Sequence, residues 1–136
     1  MKKVYAYITR IIHCQVQVLI LKHPIPEAGI QIPKGTVEEK ENTYQAVIRE
    51  VEEETGLMEF DVVRLIAEDV WKNDDGEIHH RFFYEISVKN PPDEWAYQPT
   101  GGGAEVGLTF RFFWMSSRNE VELVRGHGDY LDHIFA

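Results

Sequence analysis

The sequence from Gly35 to Leu57, GTVEEKENTYQAVIREVEEETGL, contains the clearest helical pattern in the chain. We predict a helix from Thr43 to Thr55, with Asn42 or Thr43 as its N-cap. Gly56 suits the left-handed position that follows the last turn of a helix. The apolar positions of this helix form one stripe that can pack against a sheet, made of Tyr44, Val47, Ile48 and Val51.

Three carboxylates share a second, narrow face of the predicted helix. At about 100° per residue, Glu50, Glu53 and Glu54 lie at about 0°, −60° and +40° around the axis. Glu52 points away from them, towards solvent. Like charges at this spacing repel by about a few tenths of a kcal/mol per pair, and the negative end of the helix dipole adds to the penalty. A hard divalent cation would relieve both effects, although an acidic run taken alone is more often a solvated helix face.

The spacing of the fixed residues favours the cation site over the solvated face. The pattern GX5EX7REUXEEXGU, where U is apolar, is matched at Gly35, Glu41, Arg49, Glu50, Val51, Glu53, Glu54, Gly56 and Leu57. At ordinary residue frequencies, a chance match somewhere in the chain has a probability of roughly one in a million. The stretch closely resembles the signature of the Nudix family of pyrophosphohydrolases. This resemblance covers a short part of the chain, but the motif is highly specific.

The resemblance implies roles for the matching positions. Glu50 and Glu54 correspond to metal ligands of the family, and Glu53 corresponds to a residue that binds metal and acts as the general base in some members. The backbone carbonyl before the motif glycine, here that of Lys34, is a further ligand in several members. Mg²⁺ is the expected ion, and Mn²⁺ is expected to substitute for it.

Arg49 and Glu41 have supporting roles by the same resemblance. In the family, the arginine orients the glutamates through salt bridges, and the Glu41 position contacts that arginine. We therefore place Arg49 in the catalytic machinery. The implied fold is the Nudix α/β/α sandwich, an α+β fold with a mixed sheet and a helix layer on each side.

The chemistry of the carboxylates agrees with the implied reaction. A diphosphate linkage resists hydroxide because its own oxygens are negative, and divalent ions can neutralise them and lower the pKa of a water nucleophile. The expected reaction hydrolyses a nucleoside diphosphate linked to another moiety, X, to a nucleoside monophosphate and phosphorylated X. The part of the chain before the motif reads IPKG, which is similar to polyphosphate hydrolases of the family. A nucleoside triphosphate or a dinucleoside polyphosphate is therefore the expected substrate.

The composition limits the remaining classes of function. The 136 residues fit a single domain spanning residues 1–136, and the formal net charge is −9. Such a charge argues against broad binding to nucleic acid or to an anionic membrane. The single cysteine, Cys14, suits a reducing compartment, so we expect a cytoplasmic protein. A homodimer is one of the oligomeric states that this sequence allows.

Alternating and β-branched residues predict the strands. We expect them at 4–12, 15–21, 30–33, 60–71, 78–88 and 108–115, the last being central because both of its faces are apolar. The pair 60–71 and 78–88 should form a hairpin. Short helical pieces are expected at 120–125 and 129–135.

The segment from 90 to 106 is the longest irregular one, and such loops are usually functional or disordered. Its Trp95 and Tyr97 either stack on a substrate base or pin the loop to the domain. Several family members recruit a loop glutamate as the base, and Glu105, behind three glycines, is the candidate here. Glu94 and Asp93 are the next choices.

Three further residues carry alternatives. Lys34 either reaches a substrate phosphate or is an ordinary exposed lysine. His79 and His80 are adjacent in a predicted strand and therefore point to opposite faces, which favours structural roles over joint metal binding.

Two other functions are compatible with a Nudix-like motif. A catalytically inactive Nudix sensor is disfavoured because every motif carboxylate is present, and a Nudix-fold isomerase is disfavoured because Cys14 lies in the wrong part of the chain.

Overall fold

The computed structural model describes residues 1–102 and 105–135. Its only α-helix within those residues, α1, spans Thr43–Thr55 as the sequence predicts. The strands are β1 (Lys2–Ile12), β2 (Gln15–Lys22), β3 (Ile30–Gln31), β4 (Lys34–Thr36), β5 (Phe60–Lys72), β6 (Ile78–Val88), β7 (Trp95–Tyr97) and β8 (Phe110–Met115).

These strands form one mixed sheet in the order β5-β6-β1-β2-β8-β7, with β3 beside β2 and β4 beside β1. The pairing of β1 with β6 is parallel, and the pairing of β5 with β6 is the predicted antiparallel hairpin. The fold class is therefore α+β with a mixed sheet, as expected. The strand predicted at 30–33 is shorter than expected, since only Ile30–Gln31 is extended as β3 and Pro33 follows. The strand β4 was not predicted.

Side chains that alternate along β1 supply both cores. Val4, Ala6 and Ile8 face the side of the sheet that α1 covers, where they pack with Val47 and Val51. Tyr5 and Tyr7 face the opposite side, where they pack with residues of the C-terminal segment, including Leu131. Because both faces of β1 are covered, the strand is apolar almost throughout its buried part.

The cap residues fix the ends of α1. The Asn42 side chain accepts a hydrogen bond from the backbone N–H of Gln45, and the Gln45 side chain returns one from the backbone N–H of Asn42. This capping box settles the choice between Asn42 and Thr43. Gly56 adopts the left-handed conformation, with φ of 78°.

Two sequence predictions for the second half of the chain are wrong. Residues 120–125 form bends and turns in place of a helix, and in the 129–135 segment only Leu131–His133 is helical, as a single 3-10 turn. The irregular 90–106 segment contains the short strand β7, which pairs with β8. Because β7 pairs with β8, β8 lies second from the edge of the sheet. Among the described residues, turns and the single 3-10 turn of the C-terminal segment cover the face of the sheet opposite α1.

Candidate functional site

One wall of the candidate site is the carboxylate face of α1. Glu54 is 5% exposed, while Glu50 and Glu53 are half-buried. All three line a cleft of about 370 Å³. Glu105, which follows the undescribed residues 103 and 104, lines the same cleft. The structure thus brings the three motif glutamates and the candidate loop glutamate together.

Two glycines allow backbone to approach these carboxylates closely. A Cβ added at Gly35 would lie 1.9 Å from the carboxyl carbon of Glu50. A Cβ added at Gly101 would lie 2.3 Å from Oε2 of Glu53. Any side chain at either position would displace a carboxylate, so glycine is needed at both positions for the backbone to come this close.

Arg49 ties the glutamates together with all five of its N–H donors. Nε donates to Oε2 of Glu41 at 3.1 Å, and Nη2 donates to Oε1 of Glu41 at 2.6 Å and to the carbonyl of Thr36 at 2.9 Å. Nη1 donates to Oε1 of Glu50 at 2.8 Å and to Oε2 of Glu53 at 3.2 Å. The guanidinium therefore fixes one oxygen each of Glu50 and Glu53.

The remaining negative charge is poorly compensated. Burial raises the pKa of Glu50 to about 7, and the hydrogen bond and charge of Arg49 offset only part of this. Burial, followed by the charges of Glu105 and Glu50, raises the pKa of Glu54 well above its usual value. Burial also raises the pKa of Glu105, although His23 and Lys34 act against it. Each carboxylate would be ionised more easily with a cation beside it.

The same cleft also contains two lysines. Lys34 and Lys3 both line it, and Nζ of Lys3 donates to the hydroxyl of Thr36 at 2.7 Å. Burial and the neighbouring Lys3 lower the pKa of Lys34. No sequence pattern indicates Lys3, since only the pairing of β1 with β4, which sets Lys3 opposite Thr36, brings it to the cleft.

A family model described as the NUDIX domain matches residues 1–127 of the chain. The chain belongs to the Nudix family. It is therefore a Nudix hydrolase, an enzyme that acts on phosphoric anhydride bonds. A search of curated protein sequences gives no significant match.

Solved structures with a similar fold agree with this membership. The Ap4A hydrolase of C. elegans, as a binary complex, is 19% identical with a TM-score of 0.63, over 85% of this chain and 79% of that chain. The MutT NUDIX hydrolase of Burkholderia pseudomallei is 20% identical with a TM-score of 0.64, over 98% of both chains. RenU, a Nudix hydrolase of M. Smegmatis, is 14% identical with a TM-score of 0.65, over 98% of this chain and 83% of that chain. At these identities the likeness concerns the fold alone.

The donors of the Nudix cleft suit a divalent ion in chemistry but are not gathered into a complete ligand set. Carboxylate oxygens and a backbone carbonyl are the ligands that Mg²⁺ prefers, and the raised pKa values of Glu50 and Glu54 indicate unmet negative charge. Within residues 1–102 and 105–135, however, no three carboxylate, imidazole or thiol side chains converge closely enough to hold a metal as they stand. The salt bridges from Arg49 to Glu50 and Glu53 account for part of this separation.

The side chains of Trp95 and Tyr97 do not line the Nudix cleft. The Trp95 ring stacks on Phe112 with 5.0 Å between centroids, and its Nε1 donates to the carbonyl of Thr55 at 2.9 Å. The Tyr97 ring lies against Gly56, where an added Cβ would be 2.6 Å from Cε1. Both side chains pin the loop to the end of α1, the other alternative that the sequence left open.

The two fallback candidates for the base also lie elsewhere. Asp93 forms a salt bridge of 2.7 Å with Arg10, and Glu94 lines a separate pocket with Trp95 and Lys22. Of the three acidic residues considered in this segment, only Glu105 lines the Nudix cleft.

In the described parts of the chain, no helix has the length and apolar character needed to cross a membrane.

Proposed function

We propose that this Nudix hydrolase cleaves a nucleoside diphosphate linked to another moiety X, releasing a nucleoside monophosphate and phosphorylated X. The observation that carries the proposal is a single cleft that collects charges of both signs. The motif glutamates, Glu105, Lys3 and Lys34 all line it, so a polyphosphate chain in the cleft would meet lysine side chains as well as carboxylates. A divalent ion would remove the repulsion between those carboxylates and the phosphates.

We propose Mg²⁺, with Mn²⁺ as a substitute, as the ion held by Glu50, Glu53, Glu54 and the carbonyl of Lys34. When bound, it would supply charge neutralisation at the phosphate oxygens and activation of the attacking water. Glu50 and Glu53 would have to give up part of their contact with Arg49 to bind it. Arg49 would keep them oriented through its remaining bonds to Glu41 and Thr36.

The proton of the attacking water goes to a carboxylate in this proposal. Glu105 is our first choice for the base because burial has already raised its pKa towards the working range, and Glu53 is the second. The water oxygen bonds to phosphorus, the bond from that phosphorus to the bridging oxygen breaks, and the leaving phosphate takes the bonding electrons. Lys34 and Lys3 hold phosphate oxygens during this displacement.

Nucleoside triphosphates and dinucleoside polyphosphates are the substrates we favour. The PKG sequence before Thr36 supports this choice, as does the similarity of the fold to an Ap4A hydrolase. We also propose a cytoplasmic location, because a single cysteine suits a reducing compartment. The acidic composition argues against nucleic acid or membrane as a partner, and whether the enzyme is a homodimer is left to solution measurements.

The test is an assay of the purified protein with Mg²⁺ against a panel of nucleotides, with separation of the products by anion exchange. We expect a nucleoside monophosphate as one product and no turnover after chelation of the metal. Release of free orthophosphate as the only initial product from a triphosphate would contradict the proposed cleavage site.

A catalytically inactive sensor is the alternative, and one observation favours it: the motif carboxylates are not gathered into a ready ligand set in the described residues. A sensor would bind nucleotides but would not hydrolyse them in the presence of either Mg²⁺ or Mn²⁺. Calorimetric binding in the absence of any product, at enzyme concentrations equal to those of the substrate, would replace our proposal with this one.

A further inference from the structure

The segment 95–101, which we call the strap, lies against the C-terminal end of α1. An α-helix leaves its last four carbonyls without partners inside the helix. The backbone N–H of Thr100 donates to the carbonyl of Glu53 at 3.0 Å, and Nε1 of Trp95 donates to the carbonyl of Thr55 at 2.9 Å. The strap therefore supplies two of the hydrogen-bond donors that the end of the glutamate-bearing helix needs.

The strap is also fixed to the sheet. Its first three residues form β7, which pairs with β8. The ring of Trp95 is nearly parallel to that of Phe112, with 18° between their planes. Because the strap is bonded to the helix on one side and to the sheet on the other, its backbone has little freedom to retreat from α1.

Gly101 is the last residue of the strap, and its backbone touches the carboxylate of Glu53. A Cβ added at Gly101 would lie 2.3 Å from Oε2 and 2.9 Å from the carboxyl carbon of Glu53. The φ angle of Gly101 lies outside the left-handed region, so its backbone conformation does not require glycine. The neighbouring Gly102 is the opposite case, since its φ is 82° and an added Cβ would meet nothing within 4 Å. Glycine at position 101 therefore makes room for the carboxylate, whereas glycine at position 102 allows a turn.

Arg49 limits the Glu53 carboxylate from a second direction. Nη1 of Arg49 donates to Oε2 of Glu53 at 3.2 Å, the same oxygen that Gly101 approaches. The guanidinium is itself held by Glu41 and by the carbonyl of Thr36. The Glu53 side chain is 31% exposed, so it has open space into which it can move. Its position in the cleft thus depends on contacts with both Arg49 and the strap.

We propose that Gly101 is a positioning residue for Glu53, because the strap sets one boundary of the space in which the Glu53 carboxylate is presented to the cleft. Gly35 of the motif has the same relation to Glu50, where an added Cβ would lie 1.9 Å from the carboxyl carbon. The inference rests on the proposed metal-dependent hydrolysis, and it adds an element outside the motif that orients a motif carboxylate. Contacts that orient a metal ligand typically change metal affinity or activity by about 10–100-fold when they are lost.

The Arg49 guanidinium reports the position of Glu53 without metal or turnover. We would record the guanidinium N–H resonances of the metal-free protein by NMR, with those of Arg81 as an internal reference. In Gly101→Ala, the added methyl group should push the flexible carboxylate aside, so we expect the Arg49 resonances to shift while those of Arg81 stay. The unfolding midpoint should be unchanged or higher, because alanine restricts the unfolded chain more than glycine does. Unchanged Arg49 resonances would overturn the proposal.

Gly128→Ala is the matched control. Its added Cβ would lie 3.5 Å from Cδ1 of Leu131, which is an ordinary contact remote from the cleft. We expect this variant to leave the Arg49 resonances at their wild-type positions. A shift as large as that of Gly101→Ala would show that the resonances do not report on Glu53, and it would remove the support for the proposal.

A shorter side chain at position 53 separates positioning from a general structural effect. Glu53→Asp withdraws the carboxylate by one methylene, so a methyl group at position 101 has room. We expect Gly101→Ala to lower Mn²⁺ affinity, measured by electron paramagnetic resonance, about tenfold in the wild-type background and less than about twofold in the Glu53→Asp background. An equal loss in both backgrounds would mean that the methyl group acts on the fold rather than on Glu53, and the proposal would be overturned.

The two proposals fail in different ways. If Gly101→Ala shifts the Arg49 resonances but the wild-type protein hydrolyses no nucleotide, the proposed function is wrong and the positioning role stands. If the wild-type protein hydrolyses nucleotides while Gly101→Ala keeps the wild-type Arg49 resonances and Mn²⁺ affinity, the positioning role is overturned and the proposed function stands.

Discussion

Two clusters of buried charge lie on opposite faces of the same sheet, and they are compensated to different degrees. Arg81 is 2% exposed, but Asp69 binds it through both oxygens at 2.8 and 2.6 Å. Nη2 also donates to Asp129, and Nη1 donates to the carbonyl of Gly126. Burial would raise the pKa of Asp69, yet the hydrogen bonds from Arg81 and Tyr130 lower it overall. In this cluster, every buried charge has its counter-charge.

The glutamates of the Nudix cleft differ in this respect. A single guanidinium, that of Arg49, serves Glu41, Glu50 and Glu53, and Glu54 is buried with a raised pKa. A fully paired buried cluster stabilises a tertiary contact, whereas an unpaired one costs stability and is retained for what it binds. The comparison therefore assigns Arg81 to the fold and the glutamates to function.

The largest effect is expected from breaking the paired cluster. Arg81→Met removes a guanidinium that is 2% exposed and leaves the partly buried Asp69 without its cation, so we expect the free energy of unfolding to fall by about 3 kcal/mol. Urea unfolding measures it. The control is Arg64→Met on β5. The Arg64 side chain is 48% exposed, so the loss of its salt bridge with Glu85 should lower the free energy of unfolding by less than about 1 kcal/mol. Equal losses in the two variants would refute the distinction.

Neutralising the unpaired cluster should give the reverse pattern. Glu54→Gln keeps the shape of the side chain and removes a buried charge, so we expect turnover to fall by at least about a hundredfold. The unfolding midpoint of the metal-free protein should stay the same or rise, because repulsion from Glu50 and Glu105 is relieved. Glu52→Gln, on the same helix but outside the cleft, is the matched control and should change neither quantity. A Glu54→Gln protein that is active, or one that is unstable, would sink the assignment.

The loop glutamate should matter for chemistry alone. If Glu105 accepts the proton of the attacking water, Glu105→Gln lowers kcat by about a hundredfold or more, and the unfolding midpoint stays the same or rises slightly because repulsion with Glu54 is relieved. Steady-state kinetics with the best substrate of the panel measures it, and Glu94→Gln in the same chain segment is the control. Near-normal rates for Glu105→Gln would move the role of base to Glu53.

The smallest expected effect is the pH dependence of stability, which has opposite signs for His127 on one face of the sheet and Glu50 on the other. The unfolded chain protonates His127 near pH 6.5, whereas the folded protein, with a pKa of about 3, does not. The unfolded state thus binds more protons in this window, so stability is lost as pH falls below 6.5, by about 2 kcal/mol at pH 5. Glu50 acts in the opposite direction, because its folded pKa of about 7 exceeds the unfolded value of 4.5 and stability falls as pH rises between the two.

Unfolding of the metal-free protein at several pH values would resolve these slopes. His127→Gln should remove the loss at low pH, and Glu50→Gln should remove the loss between pH 4.5 and 7. A pH profile that neither substitution alters would show that the two side chains are solvated in the folded protein.

Much of the site could be predicted from the sequence because it depends on local geometry. The period of the helix sets Glu50, Glu53 and Glu54 on one face, and Asn42 and Gly56 mark its ends through interactions within a few residues. The contacts of Arg49 with Glu41, Glu50 and Glu53 also lie within a short stretch of chain. Here each local preference agrees with the tertiary structure.

Other features depend on contacts between distant parts of the chain, which periodicity does not report. Trp95 and Tyr97 had two equal interpretations, and packing against Thr55 and Gly56 decided between them. The turns at 120–125 replace a predicted helix because the segment is held by tertiary contacts, such as the bond from the Val124 N–H to the carbonyl of Ile30. Propensity is a weak guide where such contacts compete with it.

By itself, the sequence determined that this protein carries a Nudix helix with three convergent carboxylates, since side-chain positions around one helix follow from the order of residues alone. Only the tertiary structure decided what surrounds that helix. It brought Lys3 and Lys34 to the same cleft, and it placed His127 within hydrogen-bond distance of Ile32, 95 residues earlier in the chain. Those neighbours are set by strand pairing and by the path of the C-terminal segment. Burial in the folded chain raises the pKa values of Glu54 and Glu105, on which the proposed chemistry depends.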